Sequence, residues 1–189
     1  TGSDCLNLHD LLPMPYTDEV IHYVAERARI VQDFLEVRFA LENVSSYMTY
    51  TESRLTEWDF VRAIADEADI GLLLDVNNIY VSSENHGFDP TAFVDAMPAE
   101  RVIQIHLAGH TRFESYILDT HSGHVIDPVW ALYERAITRC GSVSTLIEWD
   151  DDIPDFDELS READEARARR DAALAGRTAA AASPSEARP

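Results

Sequence analysis

Val102-Ile103-Gln104-Ile105-His106-Leu107-Ala108-Gly109-His110, followed after a short gap by Asp119-Thr120-His121, is the stretch on which the fold and the chemistry of this chain turn. An apolar run leads directly into His106, as when a buried strand delivers a ligand to the mouth of a sheet. Asp119 and His121 stand one residue apart, so from an extended loop both can reach one ion from the same side. Taken singly, His106 could equally be a core histidine and Asp119-Thr120-His121 a polar turn. The remainder of the chain separates the two readings.

Working outward, the same design recurs. Residues 37–41 read as a strand that stops at Glu42, 72–74 as a strand that stops at Asp75, 102–107 as the strand that carries His106, and 143–147 as a strand that stops at Glu148. Helical spacing lies between them. Thr17 and Thr56 are placed to cap helices, each with acidic residues in the first turn. The second of these helices extends to about Ala68, a short helix is expected over 91–96, and Asp127-Pro128 opens another that runs to about Arg139. Residues 82–90 read as a loop. Alternating short apolar strands and helices predict an α/β fold with a parallel sheet covered on both faces. A TIM-barrel-like (β/α) fold needs eight strands and typically about 250 residues. The pattern here supplies about half of that, so the expectation is the C-terminal portion of a barrel. Residues 1–154 form this partial barrel with the metal site, 155–176 a charged, alanine-rich C-terminal helix, and 177–189 a disordered tail.

Composition excludes several functions. The chain has 189 residues and a net charge of −20, and all fifteen of its basic residues are arginine. Without lysine there is no Schiff-base chemistry and no phosphate-loop lysine. So acidic a surface repels phosphate backbones, which argues against nucleic acid as a partner. Cys5 and Cys140 form no paired motif and read as free thiols of a reducing compartment. No signal peptide or long apolar run is visible, so a soluble, cytoplasmic protein without a membrane partner is expected.

The strand ends converge. On the C-terminal face of a parallel barrel, Glu42, Asp75, His106 and Glu148 would meet in one pocket, with Asp119 and His121 above it. Strand-end carboxylates can also simply cap the following helix, but that explains four of four poorly and explains His106 hardly at all. The donors are carboxylate and imidazole with no thiolate, which favours iron, manganese or zinc. This many carboxylates suits bridging between two or more ions. His110 is open between ligand, supporting group and acid/base. His86 could reach the pocket from a glycine-containing loop. Asp150, in an acidic run, is near enough to Glu148 to support the site.

Several segments together carry a resemblance. Asp10-Leu11-Leu12-Pro13-Met14-Pro15-Tyr16-Thr17, Leu41-Glu42-Asn43-Val44-Ser45-Ser46-Tyr47, Leu74-Asp75-Val76-Asn77-Asn78-Ile79-Tyr80-Val81-Ser82, Asn85-His86-Gly87-Phe88-Asp89, Ile105-His106-Leu107-Ala108-Gly109-His110, Asp119-Thr120-His121 and Leu146-Ile147-Glu148-Trp149-Asp150 resemble the multinuclear non-haem iron-dependent oxidative enzymes. This long-uncharacterised bacterial family includes the methanobactin-maturation oxidase. The resemblance implies a barrel with two or three iron ions, O2 as co-substrate, and oxidation of cysteine residues in a ribosomally made precursor peptide. It also implies a partner protein that recognises the peptide leader. It makes Glu42, Asp75, His106, Asp119, His121 and Glu148 iron ligands and places Asn77 and His110 in the catalytic pocket. Family members carry further barrel strands before the segment matching Leu8-His9-Asp10, so the expectation is an N-terminally truncated member. A divalent-metal isomerase or phosphoesterase on the same barrel, and a non-catalytic remnant, are the rival readings.

Overall fold

A computed structural model of the chain describes residues 12–182 and the backbone of 2–3 and 6–7, with side chains from 12 to 178. Within this, β1 (Gly2–Ser3) and β2 (Leu6–Asn7) make a two-residue antiparallel pair. Cys5, the motif residues Asp10 and Leu11, and the tail beyond residue 182 lie outside the described residues.

The helices start where the sequence places their caps. Helix α1 (Asp18–Leu35) begins with the Thr17 hydroxyl accepting from the Val20 N–H, and α2 (Glu57–Ala68) with Thr56 accepting from the Asp59 N–H. Between them lies β3 (Ala40–Glu42), and after α2 comes β4 (Gly71–Asp75). Then follow α3 (Val76–His86), α4 (Pro90–Ala96), β5 (Val102–Ala108), the small strands β6 (Thr111–Arg112) and β7 (Ile117–Leu118), α5 (Asp127–Cys140), β8 (Ser144–Glu148) and α6 (Phe156–Ala182). The order β3-β4-β5-β8 makes a four-stranded, all-parallel sheet.

One face of this sheet is core. Leu72, Leu74, Ile105 and Leu107 are almost wholly buried among Phe60, Ile64, Val76, Ile79, Phe93, Val129, Tyr133 and Ala136 from the helices. Each such side chain contributes roughly 1.5–3 kcal/mol relative to exposure. The opposite face is different. Leu73 and Gln104 are only partly buried and Leu146 is 42% exposed. The expectation that both faces are covered therefore holds for one face only among the described residues. Apolar side chains alternate onto both faces, but the helices of this stretch all supply the same layer.

Three further expectations are corrected. The loop predicted from Ser82 is helix α3 as far as His86, ended by Gly87 at φ 74°. Asparagine and β-branched residues are poor helix formers, which hides this helix from propensity. It forms because its residues are buried against β5 and α5. The connection after β5 carries an antiparallel β6–β7 hairpin. The C-terminal helix does not stop at residue 176, because the Ala179-Ala180-Ala181-Ala182 run is strongly helix-forming and carries it to Ala182.

The β5 connection is tied down by close packing. A Cβ on Gly109 would lie 2.1 Å from the Gly123 carbonyl oxygen and 2.3 Å from that of Ser122. Only glycine allows the two ends of the connection to touch. Gly109→Ala is expected to destabilise the fold by about 1–3 kcal/mol in urea denaturation. Gly176→Ala, at a helical position with open space around it, is expected to add about 0.5–1 kcal/mol. Equal effects of the two substitutions would refute the packing assignment.

Glu57 gives a pH signature. It is buried at the start of α2 beside the Tyr16 hydroxyl, and desolvation pushes its carboxyl to about 7. The folded state then keeps a proton that the unfolded chain releases above about 4.5. The contribution is complete below that value and is lost as pH rises to 7. Stability of the metal-free protein relative to Glu57→Gln should fall across this window, as followed by melting temperature. Parallel pH profiles would contradict the assignment.

Candidate metal centre

Strand register alone puts four of the predicted ligands on one face. In a parallel pair, opposed residues point the same way, and residues two apart along a strand do too. Glu42 is opposite Leu73, two before Asp75; Asp75 is opposite His106; Ala108, two beyond His106, is opposite Glu148. All four side chains therefore leave the sheet on the same side, away from the helix-packed core. Their donor atoms lie within 4.8 Å of one another.

The contacts within this group are ligand-like. His106 Nδ1 is 3.0 Å from Glu148 Oε2 and 3.3 Å from Glu42 Oε1. Neither contact has hydrogen-bond geometry, and His106 Nδ1, Glu148 Oε2 and Asp75 Oδ2 are buried atoms without a hydrogen-bond partner. Buried polar atoms are rarely left so. Asp75 shows how the two readings of a strand-end carboxylate combine. Its Oδ1 caps α3 by accepting from the Asn78 N–H at 2.7 Å, while Oδ2 faces the cluster.

Asp119 and His121 reach the same region from the loop. His121 Nδ1 donates to Asp150 Oδ2 at 3.1 Å, and the Asp150 N–H donates to the His121 carbonyl. Asp150 thus holds both the ring and the backbone of a residue at φ 47°, a left-handed conformation uncommon outside glycine. The clamp leaves Nε2 facing Asp119 Oδ1 at 3.0 Å, again without hydrogen-bond geometry. An imidazole lone pair opposed to a carboxylate needs a proton or a cation between them. His121, Glu148 and Asp150 form a second group with donors close enough to share an ion. Glu148 belongs to both groups, as a bridging carboxylate would.

Electrostatics tell the same story. Burial pushes the Asp75 carboxyl up to about 8, reinforced by Asp119 and Glu42 and opposed by the Asn78 N–H. Burial works to lower His121, but Asp119, Asp75 and Glu148 outweigh it and raise the ring to about 10. His106 is likewise raised against desolvation by Glu42, Glu148 and Asp75. So dense a set of carboxylates around the buried Asp75 attracts positive charge to itself. The orphaned donor atoms and the carboxylate–imidazole chemistry fit a hard or borderline divalent ion.

The two remaining pocket residues stand beside these groups. Asn77 is fully buried and donates to Asp119 Oδ1 at 2.7 Å, and its Oδ1 lies 2.8 Å from His110 Nδ1. His86 does not enter the clusters; its Nε2 lies 2.9 Å from the hydroxyl and from the carbonyl of Ser46. Three supporting residues escape a search for ligand types. Asn43 donates to the Asp75 carbonyl at 2.9 Å and accepts from the Asp75 N–H at 3.0 Å, continuing the β3–β4 ladder with a side chain. Asn78 donates to the Asn43 carbonyl, and the Tyr47 hydroxyl accepts from the Asp119 N–H at 2.9 Å. The one visible signal for Asn43 is its place directly after a strand-end glutamate.

The chain is similar to proteins of one family. A family model described as the RiPP precursor modification enzyme MbnB/TglH/ChrH matches residues 1–171. A UPF0276 protein of Acaryochloris marina is 51% identical over 158 residues, covering 84% of this chain and 57% of the relative. A UPF0276 protein of Caulobacter vibrioides is 49% identical over 169 residues, covering 89% of this chain and 60% of the relative. The chain therefore spans less than two thirds of the length of these relatives. With its strand-end carboxylates and histidines lying inside the matched region, the chain belongs to the MbnB/TglH/ChrH family of RiPP precursor modification enzymes.

Proposed function

We propose that the chain is the C-terminal portion of a TIM-type (β/α) barrel that holds two or three iron ions and uses O2 to modify cysteine residues of a ribosomally synthesised precursor peptide. The observation that carries this is the convergence of four strand-end donors on one sheet face, with buried donor atoms that no hydrogen bond satisfies. Apolar Leu73 and Leu146 on that same face, not covered by the described helices, support an inward-facing barrel wall.

Glu42, Asp75, His106 and Glu148 would hold one ion, and by the family resemblance Asp119 and His121 would serve a second. Iron, when bound, supplies the capacity to activate O2. The protein's own part is to fix the donors and to manage protons. Asn43 and the α3 N-terminus immobilise Asp75, and Asp150 aims the His121 ring. Family membership supports a peptide as the molecule acted on, and the family resemblance supports a partner protein that binds the peptide leader. Among the described residues no helix is long and apolar enough to cross a membrane.

His106→Ala is expected to lose most of its iron while keeping its far-UV circular dichroism, because the ring leaves the sheet on the face opposite the helix-packed core. Iron is measured after anaerobic loading with iron(II), and visible and Mössbauer spectra are recorded after exposure to O2. Wild-type iron content in the variant would refute the ligand assignment. Zinc or manganese retained in place of iron would favour a hydrolytic or isomerising metal centre.

A further inference from the structure

Asn77 offers an internal test of proton positions. Its Nδ2 lies 2.7 Å from Asp119 Oδ1 and 3.4 Å from the Gly109 carbonyl oxygen. A main-chain carbonyl only accepts, and so does an ionised carboxylate. The amide nitrogen must therefore sit on this side, since the flipped amide would oppose oxygen to oxygen. That leaves Asn77 Oδ1, an acceptor, 2.8 Å from His110 Nδ1. The contact is a hydrogen bond only if Nδ1 carries the hydrogen, and in a neutral imidazole Nε2 then holds the lone pair.

The surroundings keep that ring neutral. Burial lowers the His110 pKa, and the Arg112 guanidinium lowers it further, against smaller opposing effects of Asp119 and Glu84. Arg112 is itself held by Glu84 at 2.8 Å and by the Tyr80 hydroxyl at 3.2 Å, and the Tyr80 ring packs on the imidazole with centroids 5.3 Å apart. Among the described residues no hydrogen bond is made to His110 Nε2. The ring stands next to the ligand group through the sequence His110, Asn77, Asp119, His121.

We propose that Asn77 is a positioning residue that locks His110 as the Nδ1–H tautomer, so that Nε2 accepts the proton of the substrate cysteine thiol. The identity of the donor rests on the proposed function. In this step the S–H bond breaks, its electron pair stays on sulfur, and the proton forms the Nε2–H bond of an imidazolium that keeps its Nδ1–H···Asn77 hydrogen bond. A free thiol, with a pKa of about 8.5, is mostly protonated at neutral pH, so a positioned base accelerates its ionisation.

Two measurements test this. Long-range 1H–15N correlation on the metal-free, ring-labelled protein should show His110 with protonated Nδ1 and bare Nε2, and Asn77→Ala should mix the tautomers. A predominantly Nε2-protonated ring in the wild type overturns the lock without recourse to any variant. With iron-loaded protein and a synthetic peptide carrying one cysteine, His110→Gln should lower kcat/KM about 100-fold at neutral pH. The loss should shrink as pH approaches the thiol pKa of about 8.5. A loss independent of pH, or no loss, overturns the proton-acceptor role while the functional reading stands. An iron-loaded wild type that leaves the cysteine unmodified overturns that role and the functional reading together.

Discussion

A buried carboxylate with one satisfied and one orphaned oxygen is the constraint around which this structure is arranged. Asp75 has no exposed surface, and an isolated ionised carboxylate in such a place would cost several kcal/mol or more. The protein meets that cost locally. The α3 N-terminus takes Oδ1, where both an N–H group and the helix dipole favour negative charge. Oδ2 is left facing His106, Glu42 and Glu148. The strand that carries Asp75 cannot slip by one residue without turning this carboxylate into the apolar layer, so the site and the sheet register specify each other.

The supporting polar groups follow from the same constraint. β3 pairs with β4 only as far as Glu42 and Leu73, so the chain must leave the ladder there while Asp75 stays fixed. The Asn43 side chain replaces the missing backbone pair, and Asn78 closes the arrangement by donating to the Asn43 carbonyl. On the far side, Asp150 and Tyr47 perform the equivalent task for the loop, one holding His121 and the other the Asp119 main chain. None of these groups needs to touch an ion to matter. They determine how far donor atoms can move when charge enters the cluster.

The asymmetry of the sheet connects fold to chemistry. The helices bury one face almost completely and leave the face that carries the donors partly open. The close approach of Gly109 to residues 122 and 123 folds the β5 connection back over that face, bringing Asp119 and His121 to the strand ends. A core layer beneath and a tethered connection above hold a polar cluster that neither could hold alone.

Much of this was legible in the linear order of residues. Short apolar runs, each stopping at Glu, Asp or His, were enough to read a parallel α/β sheet with donors at its C-terminal ends, because strand burial and strand termination are local in sequence. Helix α3 was not legible, since Val76, Asn77 and Asn78 disfavour a helix that only burial and the Asp75 cap create. The extent of α6 was not legible because the residues after 176 read as a tail, while the alanines among them carry the helix on to Ala182. The shared face of Glu42, Asp75, His106 and Glu148 was decided by inter-strand register, a relation between residues far apart in the chain. The hydrogen-bond partners of Asn43, Asp150 and Asn77 were likewise decided by tertiary structure, because a partner is set by what a side chain faces and not by what it follows.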